Sequence, residues 1–154
     1  MNMIRTTPDL EGGLPTDLSL VVERPTLIRL AFEAVEATSW PAAQRPQIDR
    51  TPEPVLRTLM AFCYSVGVFA SRDIESAARL DPSIRYLCAN DFPRWQDLRA
   101  FRRNYLIQLN ETIARMLQVI CDEIGQPVSF AVCLAEAQRR VRLAIEADSA
   151  EMDV

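Results

Sequence analysis

Residues 51–103 read TPEPVLRTLMAFCYSVGVFASRDIESAARLDPSIRYLCANDFPRWQDLRAFRR, a run in which helix-start signals recur at short intervals. Pro52 and Pro54 open a first helix, because proline is tolerated in a first turn whose amides have no intrahelical partner. Val55, Leu56, Leu59, Met60, Cys63 and Tyr64 then recur at helical spacing on one face. Ser71 stands where an N-cap belongs, and Asp73 and Glu75 put negative charge in the first turn that follows. Asp81-Pro82 marks a third start, and Asp91 to Arg94, with Pro93 inside it, a fourth. Two helices joined by a tight turn, with arginines on the second, form a helix-turn-helix-like unit.

Downstream, Trp95, Leu98, Phe101, Tyr105, Leu109, Ile113, Met116, Ile120 and Ile124 step by threes and fours without interruption. This spacing predicts one helix of about thirty residues, roughly 45 Å long, stopped at Gly125 with Pro127 just beyond. Ser129 caps a last helix, Phe130 to about Ala147, which folds back as the second arm of a long C-terminal hairpin. So long an apolar seam exceeds what two flanking helices cover, and the expectation is a homodimer.

Upstream, Pro25 starts a helix whose stripe is Leu27, Leu30, Ala31, Ala34 and Val35. Trp40 to Pro54 reads as an extended linker in which Arg45 and Arg50 are solvated. The predicted organisation is therefore a mobile N-terminal arm over 1–22, one helical domain over 23–148, and an acidic tail over 149–154. The fold class is all-α, a helical bundle.

Composition narrows the chemistry. The chain of 154 residues is 49% apolar, enough for one sizeable core, and it contains no histidine. That removes the commonest general base, the Ser-His and Cys-His nucleophile pairs and the commonest zinc ligand. Cys63, Cys88, Cys121 and Cys133 are widely spaced among apolar residues, so they read as buried reduced thiols. No signal peptide or apolar run near twenty residues long is present, and the expected location is cytoplasmic, off the membrane.

All 17 basic residues are arginine, against 21 acids, for a net charge of −4. An acidic chain does not coat nucleic acid by bulk attraction. The charge is uneven, however: residues 45–103 hold ten arginines against seven acids, and the rest of the chain is acidic. Arg99, Arg102 and Arg103 project together, away from the Trp95-Leu98-Phe101-Tyr105 seam, as a phosphate-contacting or solvated cluster. Arg72 and Arg79, almost two turns apart, share one side of the second helix with Ser76, and Arg94 lies at the start of the next arginine-bearing helix. Arg85 either pairs with Glu75 or meets DNA. The acids Asp73 and Glu75, and Asp122 and Glu123, are accounted for by capping and by a surface helix end, so no catalytic or metal site, cofactor or small-molecule substrate is expected.

The same stretch, PEPVLRTLMAFCYSVGVFASRDIESAARLDPSIRYLC followed by PRWQDLRAFRR, resembles the N-terminal domain of bacterial insertion-sequence transposases of the DDE class. The matching residues are Pro54, Leu56, Tyr64, Ser71, Arg72, Ile74, Glu75, Arg85, Tyr86, Leu87, Pro93, Phe101 and Arg102. The likeness covers about a third of the chain, and more loosely Leu27 to Trp40; the family's Pro-Asp and Thr are here Pro93-Arg94 and Gln96. It implies a helical unit that binds double-stranded DNA in transposition. It also implies that the three metal-holding carboxylates of the family belong to a separate α/β domain that does not fit within this chain. The two function classes are a non-catalytic DNA-binding protein contacting duplex through Arg72, Ser76, Arg79, Arg94, Arg99, Arg102 and Arg103, and an acidic helical interaction module that does not bind DNA.

Overall fold

Each proline-led start begins a helix, or lies just before one, in the computed structural model, which describes residues 13–42 and 51–152. The helices are α1 (Arg24–Ala37), α2 (Glu53–Ser65), α3 (Ser71–Leu80), α4 (Pro82–Cys88), α5 (Trp95–Asn104), α6 (Leu106–Glu123) and α7 (Phe130–Met152). No strand occurs among the described residues, and the architecture is an all-α bundle. Helix α2 runs through its centre, with Leu59 to Tyr64 wholly buried, and packs against α1, α4, α5, α6 and α7. The α6–α7 hairpin is the most extensive helix pairing, closed by Gly125 at φ 75 and by Ser129, whose hydroxyl accepts from the Val132 amide.

Four features depart from the sequence reading. The predicted helix from Arg94 to Ile124 breaks at Tyr105 (φ −125, ψ 33) into α5 and α6. Apolar spacing continues across the break because both helices bury the same side, so periodicity carries no mark of it. The bend is held by tertiary contacts: the Tyr105 hydroxyl donates to Glu53 at 2.7 Å, and the Trp40 ring lies 6.0 Å from those of Phe101 and Tyr105. The seam itself is covered within the chain, since Leu98, Phe101, Tyr105, Leu109, Ile113, Met116, Ile120 and Ile124 are all buried. Its length therefore supplies no reason for a second subunit.

At the N-terminal side, residues 13–22 pack onto the bundle instead of forming a mobile arm; Leu18, Val21 and Val22 are buried, and Asp17 caps a short 3-10 turn over Leu18–Leu20. The first twelve residues of that arm, with Arg45 and Arg50 of the linker, lie outside the described residues. At the other end α7 runs on to Met152, so most of the predicted acidic tail is helix. Asp148, the last residue assigned to the domain, is buried inside the fold.

The turn between α2 and α3 brings the N-terminal segment close. Gly67 has φ +84, and a Cβ there would lie 2.9 Å from Thr16 Cγ2. Gly67→Ala therefore combines a left-handed backbone with a clash, and is expected to lower unfolding free energy by about 1–2 kcal/mol in a denaturant titration. All four cysteines are free and buried, and burial pushes the Cys88 and Cys133 thiols up to about 11, which keeps them protonated and unreactive at neutral pH. No described helix is long and apolar enough to cross a membrane.

Candidate nucleic-acid interface

Helix α3 turns Ile74 and Ala78 into the core and leaves Arg72, Asp73, Ser76 and Arg79 exposed, as the second helix of a helix-turn-helix-like unit requires. Its start is not capped by Ser71. Ser71 is already helical, and the cap comes from 77 residues away: Asp148 accepts from the Ser71 amide and from its hydroxyl, both at 2.7 Å. Glu75 in turn caps α5, accepting from the Trp95 amide at 2.9 Å, so it does not pair with Arg85, which is exposed on α4. Caps supplied by other helices thus fix the relative positions of α3, α5 and α7.

With its amide held by α3, Trp95 lies under two guanidiniums. Arg72 is 4.6 Å and Arg99 4.3 Å from its ring centroid, within the range of cation–π attraction. Arg99 and Arg102, together with Arg103, also line an open groove of 510 Å³ between α5 and α7, whose other walls are Leu106, Ile145, Asp148 and Ser149. Four of the seven predicted contact residues therefore gather in one place. The others sit apart: Arg79 stacks on Phe92 at 4.6 Å, Arg94 pairs with Asp97 at 3.3 Å, and Ser76 is exposed on α3.

The gathered arginines are not equivalent. Arg103 is exposed and makes no ion pair among the described residues. Arg102 is buried, and its Nη1 donates to Asp148 at 2.7 Å and to the Tyr64 hydroxyl at 3.3 Å. Its expected projection into solvent is corrected: in the helix it falls four residues after Leu98 and three before Tyr105, at the edge of the buried seam. Arg99 reaches Asp148 at 3.3 Å and Glu151 at 3.6 Å, and Arg72 reaches the same Glu151 oxygen at 3.7 Å. Burial alone would raise the Asp148 carboxyl, but hydrogen bonds from Ser71 and Arg102 hold it below its ordinary range. Burial opposes the charge on Arg102 as well, yet Tyr64 and Asp148 raise its pKa, while burial pushes the Tyr64 hydroxyl up to about 12. Asp148 and Glu151 pair with three of these four guanidiniums, those of Arg72, Arg99 and Arg102.

Sequence reasoning missed Asp148 and Glu151 as partners, and missed Arg140 altogether. The Arg140 side chain is fully buried on α7, donating to the carbonyls of Pro15, Thr16, Tyr64 and Ser65 and pairing with Glu136. The available signal was register: Cys133, Ala137, Arg140, Ala144 and Asp148 follow one another by threes and fours, so both charges occupy the apolar face of α7. Among the described residues no group of three or more cysteine, aspartate or glutamate side chains is placed to hold a metal ion. No family model, curated protein or solved structure matches the chain.

Proposed function

We propose that this protein binds double-stranded DNA without cutting it, as the resemblance to transposase N-terminal domains implies, through the surface where α3 meets α5. What supports the reading is the grouping of Arg72, Arg99, Arg102 and Arg103 around Trp95 and the adjoining groove. Arg72, Arg99 and Arg103 contact phosphates, Arg102 holds α5 against α7, and the exposed edge of α3, with Ser76 and Arg79, faces the groove of the duplex. The pairing of Arg99 and Arg102 with α7 carboxylates favours a second reading, an acidic helical module that binds protein and ignores DNA.

Labelled duplexes, one of insertion-sequence ends and one of random sequence, separate the two. Arg103→Ala is expected to weaken binding to both and to reduce the dependence of log K on log salt by about one. Arg79→Ala is expected to alter the preference between them, since base-edge contacts, unlike phosphate contacts, carry sequence information. Equal affinity of wild type and both variants for every duplex would remove this surface from the reading.

A further inference from the structure

We infer that the last turn of α7 is an autoinhibitory clasp in which Glu151 occupies the place of a DNA phosphate against Arg72 and Arg99, and that duplex DNA displaces it. The inference rests on the DNA-binding reading and adds a regulation to it. Glu151 lies one residue before the described end of α7 and bridges an arginine of α3 to an arginine of α5. Its Oε2 is buried yet accepts no hydrogen bond, facing the two guanidiniums at 3.7 and 3.6 Å. A carboxylate held by charge alone, on a helix end that frays readily, is a weak occupant. A phosphate accepts charge-assisted hydrogen bonds from the same arginines at about 2.7–2.9 Å. Asp148, three residues earlier, is different: it is buried, caps α3 and holds Arg102, so it stays in place while the turn beyond it opens.

The test compares Glu151→Gln with Glu146→Gln, an exposed glutamate on the same helix with no arginine partner among the described residues. Both remove one negative charge; only the first removes the one that faces Arg72 and Arg99. Random-sequence duplex is titrated at low salt against wild type and both variants. Glu151→Gln is expected to bind about three- to tenfold more tightly and to steepen the log–log salt slope by about one, with Glu146→Gln close to wild type. Equal gains from both variants would reduce the effect to net charge and overturn the clasp. Binding of wild type and Glu151→Gln with the same affinity and slope would overturn it while leaving the DNA reading intact. Absence of duplex binding by all three proteins would overturn both.

Discussion

Arg140→Met is expected to lower the unfolding free energy by about 3–5 kcal/mol, with a fall in Tm on the order of 10 °C. Methionine matches the aliphatic stem and fills most of the space, so packing is not the main loss. The loss is polar. Tyr64 and Ser65 end α2, and their carbonyls carry the negative end of that helix's dipole, which a buried guanidinium both satisfies and neutralises. Pro15 and Thr16 carbonyls on the same guanidinium tie down the N-terminal segment. Burial lowers the pKa of Arg140 against the attraction of Glu136, but a guanidinium remains charged at neutral pH. Arg140→Lys is expected to recover only part of the loss, because a point charge with three donors cannot reproduce a planar fork that spans α2 and the N-terminal segment. Thermal melts of the three proteins measure both effects; a methionine variant within 1 kcal/mol of wild type would show that water replaces the guanidinium at no cost.

Asp148→Ala is expected to cost about 3 kcal/mol at neutral pH, since it removes the α3 cap and leaves Arg102 buried without its carboxylate. The cost depends on pH. The folded Asp148 carboxyl lies below its ordinary range, so its contribution is fully present above the unfolded value of about 3.9 and is lost as pH falls through the depressed folded value. Wild type and Asp148→Ala should therefore differ widely at pH 7 and converge in strong acid. A gap that stays constant from pH 7 to pH 2 would mean that the aspartate acts by packing, not by charge.

The helix starts were legible because proline and capping residues act locally. Pro25, Pro52-Pro54, Asp81-Pro82 and Pro93 each state a backbone preference without reference to the rest of the chain, and Gly125 does the same for the hairpin turn. What escaped the reading depends on partners distant in sequence. The bend at Tyr105 is set by Glu53 and Trp40, and the cap of α3 by a residue 77 positions away. Arginines counted as a surface cluster divide in the fold, because Arg102 falls on the buried edge of α5 while Arg103, one position on, faces solvent. Formal charge along the chain does not distinguish a phosphate contact from a helix tie. Asp148, the last residue of the predicted domain, follows Cys133, Ala137 and Ala144 in the apolar stripe of α7, and that place already pointed inward.

The most direct measurement is the binding constant of wild-type protein for random-sequence duplex as salt is varied upward from low concentration. Three phosphate contacts, from Arg72, Arg99 and Arg103, predict weak binding whose log K falls with log salt at a slope of roughly −2 to −3. No binding at the lowest salt, or binding indifferent to salt, would contradict the account and leave the bundle as an acidic protein-interaction module.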